Sequence, residues 1–152
     1  MAMTMTGEVE LAAPQETVWA KLNDPDVLKA CIPGCETLEK LSDNAFQATA
    51  KIKIGPVSAK FAGRVELSDI DAPNGYTISG EGQGGIAGFA KGGAKVSLRP
   101  SGTGTIMSYD VEAQVGGKIA QLGARLIDGV AKRMADQFFE RFAAEVSGNV
   151  TG

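Results

Sequence analysis

The chain of 152 residues has no histidine. That removes Ser-His-Asp and Cys-His nucleophile pairs, together with the zinc and non-haem iron sites that lean on imidazole. Cysteine is scarce as well. Cys31 and Cys35 are the only two, and they flank Ile32-Pro33-Gly34. A CxxxC pair without a third or fourth ligand makes a poor metal site, so no metal is expected. Two thiols with no secretory signal read as reduced residues of a cytoplasmic protein, packed as small side chains in a turn. There is no basic block: 15 Lys and Arg stand against 18 Asp and Glu, for a net charge of −3. That balance, and the absence of RRM, KH and zinc-finger signatures, argue against a nucleic-acid partner. No run of about 18 apolar residues exists to span a bilayer. The N-terminus, MAMTMTGEVE, lacks the basic and apolar regions of a secretory signal.

What is present is an ordinary globular composition, 43% hydrophobic and 22% charged, on a chain long enough for one buried core. A single domain over 1–152 is expected, with an ordered core of about 5–146. Residues 5–12 alternate weakly and read as a first strand. Pro14 opens a short helix with Val18, Trp19 and Leu22 on one face. Asn23-Asp24-Pro25 ends it and can cap a second short helix, which Ile32-Pro33-Gly34 stops. The period then changes to two. In 45–54, Phe46, Ala48, Ala50, Ile52 and Ile54 share a face. In 57–68, Ala59, Phe61, Gly63, Val65 and Leu67 do the same. Asn74-Gly75 is a hairpin signal before a strand carrying Tyr76 and Ile78. Strands follow at 94–99 and 105–115, the last facing inward through Met107, Tyr109, Val111, Ala113 and Val115. One long helix is expected over 118–146, because Ile119, Leu122, Leu126, Val130, Met134, Phe138 and Phe142 recur every three or four residues. From Ser147 the tail is polar and is expected to fray.

This order implies an α+β helix-grip fold: a curved antiparallel sheet wrapped around a long C-terminal helix, with two short helices after the first strand. Several inward residues are small, which leaves room for a cavity. A closely packed core is the other reading of the same pattern. The glycine-rich stretch 80–93 formally matches GxGxxG, but a strand follows it rather than a helix, so it does not read as a nucleotide site. It reads as a mobile loop between strands. Within it, Ile86 and Phe89 could close a cavity mouth, touch a membrane surface, or tuck into the core. Tyr109 is a candidate polar handle in an apolar site, and Gln83, Gln114 and Gln121 are further candidates. Asp69, Asp71, Glu81 and Asp110 form no acid–base constellation, so no catalytic residue is assigned.

Several segments carry a family pattern. Val18-Trp19-Ala-Lys-Leu22-Asn-Asp24-Pro25, then Leu28 and Cys31-Ile-Pro-Gly-Cys-Glu36, resemble the start of the CoxG proteins of carbon monoxide dehydrogenase systems. Ile54-Gly55-Pro56-Val57 with Phe61 and Gly63, Gly80-Glu-Gly82, and Val115-Gly116-Gly117-Lys-Ile-Ala-Gln-Leu-Gly123 with Arg125-Leu126 are similar too, as are Phe138-Phe139 and Phe142. The resemblance spans roughly residues 5–146. It implies the START-like, polyketide-cyclase-like fold, whose members grip apolar molecules between sheet and helix. It further implies an accessory protein of molybdenum-containing dehydrogenases, cytoplasmic and peripheral at the inner face of the membrane. Its expected partners are such a dehydrogenase and an apolar small molecule, with a quinone or lipid in the cavity rather than a cofactor. On this reading Phe46, Phe61, Tyr109, Leu122, Leu126, Val130 and Met134 line the cavity, and Ile86 and Phe89 gate it. The chain ends at Gly152 without the C-terminal segment that many relatives carry, so ligand carriage or transient contact is expected rather than direct anchoring. The rival readings are a docking or assembly protein with no ligand, and a cyclase or dehydratase-type enzyme.

Overall fold

The structure is a computed structural model that describes residues 1–148. Seven strands form one antiparallel sheet: β1 (Ala2–Leu11), β2 (Cys35–Ser42), β3 (Ala45–Ile54), β4 (Val57–Asp71), β5 (Gly75–Gln83), β6 (Phe89–Ser101) and β7 (Gly104–Gly116). Their spatial order is β1-β7-β6-β5-β4-β3-β2, so every neighbour but β1 is also the neighbour in sequence. The helices α1 (Gln15–Leu22) and α2 (Pro25–Cys31) link β1 to β2, which form the two edges of the sheet. Helix α3 (Ala124–Gly148) packs against the inner face. The helix-grip arrangement expected from the sequence is the arrangement observed.

Local chemistry explains the joints. The Asp24 carboxylate accepts the Asp26 N–H at 2.9 Å and caps α2, with Pro25 at its first position. The Thr105 hydroxyl, fully buried, donates to the Ala13 carbonyl at 2.7 Å and ties β7 to the link between β1 and α1. The Gln15 amide donates to the Pro73 carbonyl at 2.8 Å, fixing α1 against the turn between β4 and β5.

Five features differ from the sequence reading. The first strand begins at Ala2 rather than at residue 5, paired to β7 along its whole length. A strand absent from the reading, β2, lies on the sheet edge, with most of its side chains in water. The stretch 80–93 is mostly strand: β5 runs to Gln83, β6 starts at Phe89, and only a short 3₁₀ turn, Gly85–Ala87, joins them. The helix expected over 118–146 is two pieces, a 3₁₀ turn Lys118–Leu122 and then α3. Gly123 between them has φ +97, a conformation that interrupts a helix and that glycine adopts without penalty. The tail expected to fray from Ser147 stays helical to Gly148, and 149–152 lie outside the described residues.

The interior holds two apolar clusters rather than one. The first gathers Leu11, Val18, Leu22, Leu98 and Phe142 beneath α1, α2 and the C-terminal half of α3. The second gathers Ile54, Val115, Ile119, Ile127 and Val130 around the start of α3.

Candidate functional site: an apolar cavity under the long helix

The strand residues between these clusters are small. On the inner face, Ala48 and Ala50 of β3, Gly63 of β4, Gly80 and Gly82 of β5, and Ala113 of β7 all border one open floor. Side chains of that size cannot reach the facing helix, so the sheet and α3 leave space there. The space comprises a chamber of about 370 Å³ and, beside it, a floor region of about 360 Å³ that shares Ala48, Val65, Ile78 and Val111 with it.

The chamber is walled almost wholly by carbon. Phe46, Val96 and Met107 rise from the sheet, Leu28 and Leu38 come from α2 and β2, and Phe138 and Phe139 descend from α3. The aromatic walls brace one another. Phe139 stacks on Tyr109 at 5.0 Å between ring centroids and meets Phe138 edge-on at 5.1 Å. Of the residues that line it, only Tyr76 and Tyr109 carry a side-chain oxygen or nitrogen. The Tyr109 hydroxyl leans across β1 at Gly7, where a side chain would overlap it. Tyr76 is 7% exposed, meets Trp19 with ring centroids 5.3 Å apart and the planes tilted by 47°, and burial pushes its phenol up to about 12.

The residues singled out from sequence fall in several places. Phe46 and Tyr109 line the chamber, and Phe61 lines the floor. Val130 sits in the second cluster, with Leu122 and Met134 packed against it. Leu126 is 36% exposed and covers Gly55 at the turn between β3 and β4, while its neighbour Ile127 is the buried residue. Ile86 stands 93% exposed at the turn between β5 and β6. Phe89 lays its ring over Gly116 of β7. Tyr76, Val96 and Phe139 were not among the expected lining residues. The Phe138-Phe139 pair was the available signal, since adjacent aromatics let a helix present one ring to the core and the other beside it.

Other sites offer less. A wider groove of about 820 Å³ on the outer face is flanked by Arg64, Glu66, Glu81, Lys91 and Glu112 and lies open to water. Among the described residues no three His, Cys, Asp or Glu side chains cluster to hold a metal. Both cysteines are free thiols, and burial raises each above its ordinary range, which disfavours the nucleophilic thiolate. No helix of the described residues is long and apolar enough to cross a membrane.

Comparison with known proteins agrees with this geometry. A conserved protein from Geobacillus kaustophilus is 35% identical, superimposes with a TM-score of 0.90, and matches over 96% of each chain. A START superfamily protein from Mycobacterium smegmatis shares the fold at 16% identity, with a TM-score of 0.72 over 95% of this chain and 97% of that one. So does the Zhui aromatase/cyclase of a Streptomyces species, at 13% identity and a TM-score of 0.68 over 99% and 96%. No curated protein gives a match. The family model for CoxG, the G-type subunit of carbon monoxide dehydrogenase, matches residues 7–147. The two short helices, the seven-stranded sheet and the gripped helix thus belong to a member of the carbon monoxide dehydrogenase CoxG family.

Proposed function

We propose that this protein is a non-catalytic accessory protein that carries a quinone-like or lipid-like molecule in its internal cavity and links a molybdenum-containing dehydrogenase to the membrane. The observation that carries the reading is the chamber of about 370 Å³ with an almost purely hydrocarbon wall. Such a space excludes ions and polar substrates, which would lose their hydration without replacement. It favours a long apolar molecule, whose burial contributes roughly 25 cal/mol per Å². The family description supports the choice of enzyme partner.

The test is a reconstitution. The dehydrogenase of the same host is mixed with quinone-containing vesicles, and substrate-dependent quinone reduction is followed with and without this protein. Ala135 of α3 lines the chamber, so faster reduction in the protein's presence, and no effect from a variant whose chamber is filled (Ala135→Phe), are expected. An equal rate with and without the protein overturns the link to the membrane pool.

A further inference from the structure

Two inward residues of β5 lack a structural reason for their identity. Tyr76 is 7% exposed, yet its hydroxyl makes no hydrogen bond among the described residues. Thr105, fully buried, shows what the fold does with a hydroxyl it needs: it pairs it with a backbone carbonyl at 2.7 Å. No fully enclosed side-chain oxygen or nitrogen is left orphaned among the described residues, so the Tyr76 oxygen keeps a small open surface, and Tyr76 is one of the residues that line the chamber. Phenylalanine would fill the same volume without leaving a polar group to desolvate. The high pKa of about 12 keeps this phenol protonated, hence a donor, at any physiological pH.

Gly82 is the second case. Gly63 and Gly92 are dictated by close backbone approach, because a Cβ there would strike the carbonyls of Glu81 and Glu112. At Gly82 the φ is ordinary and the nearest atoms to an added Cβ are 4.0 Å away. Glycine inside a strand weakens it, and here the fold gains nothing in return. What the missing side chain leaves is open floor.

From these two positions we infer that the Tyr76 hydroxyl is the hydrogen-bond donor for a carbonyl oxygen on the ring of the bound ligand, and that the ligand's apolar chain runs from there over Gly82. The inference rests on the carrier reading above and narrows it to a carbonyl-bearing ring with a long chain. The aromatic walls formed by Phe46, Phe138 and Phe139 suit a flat ring. The two positions lie six steps apart along the strand, so ring and chain together reach about 20 Å.

The test uses three probes: 2-methylnaphthalene, 2-methyl-1,4-naphthoquinone, and the same quinone with a four-prenyl chain. Affinities are read by competition against a fluorescent anilinonaphthalene sulfonate. In Tyr76→Phe the preference for the chainless quinone over the hydrocarbon falls about fivefold relative to wild type. The melting midpoint of that variant is equal or higher, since the lost hydroxyl had no partner. In Gly82→Leu the chain-bearing quinone weakens while the chainless one binds as before. An unchanged preference in Tyr76→Phe overturns the donor assignment. Equal weakening of both quinones in Gly82→Leu, or of neither, overturns the path of the chain. If wild type binds none of the three probes, the carrier reading itself fails.

Discussion

Phe139 and Phe142 lie three residues apart on α3 and make a controlled pair. Phe142 is fully buried in the first cluster and stacks on Phe138 at 5.6 Å. Truncating it to alanine removes a ring and opens a void that close-packed neighbours cannot fill, at a cost of about 3–5 kcal/mol. Phe139 is half-buried, and one side of its ring already faces the chamber. Phe139→Ala enlarges existing space, so fewer packing contacts vanish. The remaining loss is mainly its stacking on Tyr109 and its edge contact with Phe138, about 1–2 kcal/mol together. Urea denaturation with a slope of about 2 kcal/mol per molar turns these values into midpoint shifts of about 2 M for Phe142→Ala and under about 1 M for Phe139→Ala. Equal shifts would refute the reasoning, because they would mean that Phe139 is packed on all sides and that the chamber is closed in solution.

Other outcomes follow from single contacts. Leu126→Arg should leave quinone affinity within about twofold and the fold intact, since this side chain is 36% exposed over Gly55 and an exposed arginine keeps its hydration; titration by fluorescence checks it. Thr105→Val should cost about 1–3 kcal/mol in urea unfolding, because the Ala13 carbonyl loses its donor in a buried place. Asp24→Ala should cost about 1 kcal/mol through the lost cap of α2. Tyr76 also carries a pH signature. Its folded pKa of about 12 lies above the ordinary 10.0, so between those values the folded state holds a proton that the unfolded state has released. Stability is therefore full below pH 10 and falls as pH rises toward 12, by about 2–3 kcal/mol from this group. Denaturation at a series of pH values should show that part of the fall missing in Tyr76→Phe.

Much of the fold was legible because burial wrote a clear period into the chain. Strands β3, β4 and β7 have one wet and one dry face, and their alternation marks β3 and β7 to within a residue and β4 to within three at its C-terminal end. Strand β2 has no such contrast: Cys35 to Ser42 is an edge with six of eight positions exposed, so Glu36, Glu39 and Lys40 speak for a loop as readily as for a strand. The glycines of 80–93 mimic a loop for a different reason. Gly92 and Gly93 are strand residues at which neighbouring carbonyls come too close for a side chain, a tertiary fact that composition does not carry. The break at Gly123 was hidden because the apolar spacing of Ile119 and Leu122 runs on through it. The interruption resets the helical phase, so Ile127 turns inward and Leu126 outward. That one-residue shift moved the expected cavity wall. The Phe46 and Tyr109 positions follow directly from strand parity and lie on the chamber. Tyr76 shares that parity, but only three-dimensional packing reveals a buried phenol whose hydroxyl makes no hydrogen bond among the described residues.

The most direct test of the carrier account is the content of the protein itself. It should be purified from its native host without detergent, extracted with organic solvent, and the extract examined by mass spectrometry. The account predicts a near-stoichiometric apolar molecule bearing a carbonyl-substituted ring and a long chain, absent from an Ala135→Phe preparation. A protein that is empty, and that also takes up neither added menaquinone nor ubiquinone, would contradict it.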